Sequence, residues 1–136
     1  MNANSCSGRT LAFLGDAVWS LMVREYLIEN GEGKGKTLQK DSIAMVSAKS
    51  QAAFYDALHE ANILTEEEEA VFHRGRNANT GATPKSTDVQ TYRISTGFEA
   101  IFGYLRLEGK QERIQELFQK VLTLKKKYVY LWKKSC

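Results

Sequence analysis

The 136-residue sequence has one proline, two cysteines and two histidines. With only Pro84 to interrupt it, the chain favours long helices over a loop-rich sheet. Cys6 and Cys136 stand near opposite ends, so they make neither a metal-ligand spacing nor a disulfide framework, and that usage fits a reducing compartment. No stretch approaches the roughly 20 apolar residues of a membrane span. The N-terminal Met1-Asn2-Ala3-Asn4-Ser5 also lacks the basic and apolar regions of a signal peptide. A soluble, cytoplasmic protein with no membrane partner is expected. An excess of positive charge is missing too, once the net +3 is divided: residues 1–124 carry 14 Lys and Arg against 16 Asp and Glu. Any nucleic acid must therefore be met by local basic patches and not by the field of the whole body.

What is present is a hydrophobic fraction of 43%, enough for one domain with a real core. We place that domain at residues 1–124, followed by a basic and aromatic tail at 125–136 that either binds RNA by charge and stacking or extends the last helix against a neighbour. The chain is organised around Thr10 to Val23. Leu11, Leu14, Val18, Leu21 and Met22 recur at helical spacing, while Phe13, Trp19 and Val23 lie off that stripe, which predicts a central helix buried on nearly every side. Asp16 is the only charge between Arg9 and Arg24. A carboxylate among apolar neighbours costs several kcal/mol unless something meets it. That partner is either a cap or salt bridge, or a divalent cation, for which hard oxygen ligands suit magnesium.

Taken in order, residues 1–8 read as frayed. A first helix runs from about Thr10 to Asn30, and Glu32 to Lys36 reads as a glycine-rich loop, either a solvated linker or a phosphate contact. A second helix covers about Ile43 to Ala61, its core face set by Ile43, Val46, Ala53, Phe54, Tyr55 and Leu58, with Ser47, Lys49, Ser50 and Gln51 assigned to a wet face that is either ordinary surface or a contact for RNA or a partner subunit. Thr65 with Glu68 forms a capping box, so the four glutamates at 66–69 need no catalytic explanation, although one of them remains a candidate for a metal site. His73 to Lys85 lacks helical periodicity and carries three fixed positive charges among turn formers. It is read either as a phosphate-binding loop or as a surface loop capping the preceding helix. Asp88 then caps a helix that stops at Gly109; Gly97 and Gly103 within it point to close approach of another backbone. Glu99 lies in that apolar run as Asp16 does in the first, and packing the two helices would bring both acids to one site, shared with a cation or with an arginine. A last amphipathic helix covers about Lys110 to Leu124.

At these motifs a resemblance enters. Phe13-Leu14-Gly15-Asp16-Ala17 resembles the signature of the ribonuclease III catalytic domain. With Arg74-Gly75-Arg76-Asn77-Ala78, Thr83-Pro84-Lys85-Ser86-Thr87-Asp88-Val89-Gln90-Thr91-Tyr92-Arg93 and Ser95-Thr96-Gly97-Phe98-Glu99-Ala100, the chain is similar to Mini-ribonuclease III over about residues 10 to 124. That bacterial family has a ribonuclease III catalytic domain without a double-stranded-RNA-binding domain. The resemblance implies an all-α helical bundle and a homodimer that cleaves double-stranded RNA with Mg²⁺ or Mn²⁺. It further implies a role in maturing large-subunit (23S) ribosomal RNA precursors. Carried over, Asp16 and Glu99 are catalytic metal ligands, and Arg74, Arg76, Asn77, Thr83, Lys85 and Gln90 face the RNA.

The chain departs from the wider family at three places. Ala12 and Arg9 stand where glutamates are usual, and Thr96 stands where an aspartate is usual. Fewer acids mean more metal-bound water and weaker metal binding. The reading is a magnesium-dependent endoribonuclease; the alternatives are a non-catalytic RNA-binding or assembly protein with the same fold, and a helical interaction module without RNA affinity.

Overall fold

The computed structural model describes residues 2–30, 35–78 and 87–135, with side chains described as far as Lys125 except at Lys36. All regular structure among them is helical: a 3₁₀ turn at Ala3–Ser5, then α1 (Gly8–Glu29), α2 (Gly35–Val46), α3 (Ala48–Glu60), α4 (Glu66–Arg76), α5 (Val89–Leu107) and α6 (Gln111–Ser135). The expected all-α bundle is what the chain forms. Its caps follow from local chemistry. The Ser7 hydroxyl accepts from the Thr10 amide at the start of α1, and Asp88 accepts from Thr91 at the start of α5. Thr65 and Glu68 complete the reciprocal capping box of α4. α5 ends where Gly109 takes φ +72 and the Lys110 amide turns back to the Leu105 carbonyl at 2.9 Å.

α1 and α5 form the centre. A Cβ placed on Gly103 would lie 1.9 Å from the Leu11 carbonyl oxygen, so the two backbones pack in direct contact there. A Cβ on Gly97 would meet the Phe72 ring at 2.6 Å. Both glycines thus serve the close approach expected of them. Beside this crossing Trp19 is fully buried, its ring 4.9 Å from Phe98, 5.0 Å from Phe102, 5.2 Å from Phe118 and 5.9 Å from Phe54. Its indole N–H donates to the Met45 carbonyl at 2.9 Å, near the end of α2, where helix carbonyls lack intrahelical partners.

Four expectations need correction. α1 is not buried all round: Phe13 is 83% exposed, Leu21 60% and Ile28 63%. Residues before it are not frayed, because Ala3 is buried and Arg74 donates to the Cys6 carbonyl. The helix expected over 43–61 is two helices, the first beginning at Gly35, broken at Ser47, whose extended backbone (φ −63, ψ 154) lets its hydroxyl cap α3. The segment from His73 is still helical through Arg76. α6 runs on from Leu124 to Ser135, the helix-extending alternative for that stretch.

Candidate active site

α1 carries Asp16 and α5 carries Glu99, and their crossing brings the two carboxyl groups within hydrogen-bonding reach. The reason is steric: Gly15 presents no side chain, so the α1 backbone can rest on the Glu99 peptide. Asp16 is exposed, in contrast to the burial expected of it, whereas Glu99 is half-buried. Burial pushes the Glu99 carboxyl up to about 9, helped by its hydrogen bond to Asp16 and by that residue's charge; the Gln51 bond pulls the other way. The two acids open onto a pocket of about 400 Å³. α1 supplies Arg9, Ala12 and Phe13 to its wall, the α2–α3 junction supplies Val46, Ala48 and Gln51, and α5 supplies Tyr92, Ser95 and Thr96.

All three departures from the wider family, Arg9, Ala12 and Thr96, therefore lie in this one pocket. Thr96 and Ser95 turn their hydroxyls back on their own helix, donating to the Tyr92 carbonyl at 3.0 and 2.7 Å. Among the described residues no third Asp, Glu, His or Cys joins Asp16 and Glu99. Two carboxylates are still a fitting donor set for Mg²⁺, which keeps several waters and is commonly held by one or two carboxylates.

The glutamate run of α4 stays outside the pocket. Glu68 is buried against Arg113, with both guanidinium contacts at 2.8 Å, and Glu69 meets the Tyr55 hydroxyl at 3.0 Å and His59 Nδ1 at 2.6 Å. Of the residues expected to face RNA, Arg76, Asn77 and Gln90 are exposed, and Arg74 is half-buried on the Cys6 carbonyl. None of these four lines the pocket, although the end of α4 does abut the start of α1, where a Cβ on Gly8 would lie 2.3 Å from the Arg74 carbonyl oxygen. Thr83 and Lys85 lie outside the described residues. Gln51, assigned to a wet face, is instead buried beside Glu99. Its register contained the signal: Gln51 shares the helical stripe of Phe54, Tyr55 and Leu58.

The described residues pack as helices around a glycine-lined crossing that brings one aspartate and one glutamate together, and the family model described as "Ribonuclease III domain" matches residues 9–110, which makes this a ribonuclease III-type domain. The Mini-ribonuclease 3 of Enterococcus faecalis is 43% identical over 111 residues, covering 82% of this chain and 84% of that one. That of Streptococcus pneumoniae is 44% identical over 117 residues, covering 86% and 91%. A crystal structure of a protein from Fusobacterium nucleatum has the same fold, with a TM-score of 0.77 at 38% identity, covering 86% of this chain and 93% of that one. The chain belongs to the Mini-ribonuclease III family.

Proposed function

We propose that this ribonuclease III-type endoribonuclease cuts double-stranded RNA with the help of a divalent cation held by Asp16 and Glu99. The observation that carries the reading is the convergence of these two carboxyls, one exposed and one half-buried, at an open polar pocket. Mg²⁺, or Mn²⁺ in its place, would supply charge stabilisation for the scissile phosphate and a more acidic water. The chain's own part is positional. Asp16 offers oxygens at the solvent side, Glu99 at the inner side, and the α1–α5 contact keeps the distance between them constant. No side chain of the pocket is an activated nucleophile, so water is the attacking group.

Arg76, Asn77 and Gln90, exposed at the end of α4 and the start of α5, would hold the RNA backbone by shape and charge more than by sequence. By the family resemblance, Thr83 and Lys85 would also contact the RNA. Exposed Phe13, Leu21 and Ile28 lie along one side of α1, spaced eight and seven residues apart, and support assembly as a homodimer through that stripe. Two sites related by a twofold axis would reach both strands of a duplex. By family resemblance, the substrate class is a large-subunit (23S) ribosomal RNA precursor. No helix among the described residues is long and apolar enough to cross a membrane.

The test is cleavage of a precursor-like RNA duplex by wild type and Asp16→Asn, each with Mg²⁺ and with EDTA. Cutting by wild type with metal alone is expected. Duplex binding without cleavage under every condition would instead identify a non-catalytic RNA-binding protein of the same fold, and cleavage by Asp16→Asn at the wild-type rate would remove Asp16 from the site.

A further inference from the structure

Gln51 is 2% exposed, yet it is a primary amide on the core stripe of α3, where a buried polar group costs free energy unless hydrogen bonds offset it. Its Nε2 donates in two directions: to the Val46 carbonyl at 3.2 Å and to Glu99 Oε2 at 3.5 Å. The first bond satisfies the last carbonyl of α2, left without a helical partner by the break at Ser47. The second reaches α5. Trp19 holds the neighbouring Met45 carbonyl from the α1 side, so the end of α2 is fastened to two other helices within two residues.

We propose that Gln51 is a positioning residue: it holds one oxygen of Glu99 against the α2–α3 junction and so aims the other at Asp16 and the cation they share. This rests on the reading of Asp16 and Glu99 as the metal-holding pair. The choice of side chain is chemically specific. A lysine or arginine here would neutralise Glu99 and repel a cation, and an aliphatic residue would let the carboxylate rotate freely. A neutral amide orients the carboxylate while leaving its charge for the metal, and such outer partners commonly set metal affinity by about 10- to 100-fold. The same amide links the site to the α2–α3 break, so a shift of α2 would be felt at Glu99.

The experiment measures Mn²⁺ binding to the RNA-free protein by the loss of the free-ion electron paramagnetic resonance signal, for wild type, Asp16→Asn and Gln51→Met, with thermal unfolding of each. Gln51→Met suits a stripe of core residues and is expected to fold. Its Mn²⁺ affinity should fall about tenfold or more, and the Mg²⁺ concentration for half-maximal cleavage should rise by the same factor, with the rate recovering at saturating metal. Should Asp16→Asn lose binding while Gln51→Met binds Mn²⁺ as wild type does, the inference is overturned and the metal site stands. Should Asp16→Asn bind as well as wild type, the metal reading itself fails. If Gln51→Met does not fold, the side-chain amide of Gln51 in the wild-type protein decides by nuclear magnetic resonance: slow hydrogen exchange and a shift on adding Mg²⁺ support the role, and fast exchange with no shift removes it.

Discussion

A Cβ added to Gly15 would lie 1.6 Å from the carbonyl oxygen of Glu99 and 2.5 Å from its carbonyl carbon. The residue before one site carboxylate thus sits directly on the backbone of the other, and the separation of the two acids is set by a backbone contact.

Gly15→Ala is therefore expected to force α1 and α5 apart. Because the obstacle is a helical carbonyl and not a flexible side chain, the cost should be about 3 kcal/mol or more, with cleavage lost even where the protein still folds. Gly35→Ala, built into open space at the start of α2, should be neutral or stabilising by about 0.4–1 kcal/mol. Chemical denaturation of both variants checks the contrast; equal stability of the two would mean that the helices do not touch at Gly15.

Glu68 predicts an acid-sensitive step. Burial alone would push its carboxyl up, but Arg113 and the Thr65 amide outweigh that and hold it below its ordinary value. A carboxyl depressed on folding contributes stability that is full above its unfolded value of 4.5 and is lost as pH falls through its lower folded value. Glu68→Gln should flatten the pH dependence of unfolding in that acid range. Arg113→Ala strands a buried charge, removes a 2.8 Å bond to the Ile63 carbonyl and should cost about 3–5 kcal/mol at neutral pH. Unfolding followed from pH 3 to 7 reads both.

The apolar stripe of α1 predicts self-association. Burying Leu21 and Ile28 against a second copy would contribute about 1.5–3 kcal/mol for each side chain, so Leu21→Lys with Ile28→Lys should yield monomers that remain helical. Sedimentation velocity at micromolar concentration tests this, and a wild-type protein already monomeric there would refute the interface.

Neighbouring arginines should differ in what they do. Arg76→Ala, at an exposed position, should weaken duplex binding uniformly and lower the salt slope by about 1. Arg74→Ala should show its main effect in thermal stability, since it frees the Cys6 carbonyl and the turn holding buried Ala3. Binding titrations at several salt concentrations, beside melting curves, separate the two.

Much of this molecule is written in short-range chemistry. The capping box of Thr65 and Glu68, the Asp88 cap and the stop at Gly109 all involve partners close in sequence, so they are legible before any folding, while Gly97 and Gly103 are legible only as a need for close approach whose partners, Phe72 and Leu11, lie far along the chain. The pairing of Asp16 with Glu99 was legible too, because two lone acids in apolar helices need a common answer. Other features depend on partners brought from far along the chain. Glu68 meets Arg113 across 45 residues and Gln51 meets Glu99 across 48, distances over which sequence spacing carries no geometry. Gln51 reads as part of the polar face although its helical spacing matches the core stripe, and only the packed α2–α3 junction buries it and gives its amide two acceptors. The sequence by itself determined the caps and stops of α4 and α5 and which acids could meet. The tertiary structure decided which of those acids faces water, which arginine is spent on the fold, and what holds Glu99 in place, because burial and long-range hydrogen bonds exist only once the helices have packed.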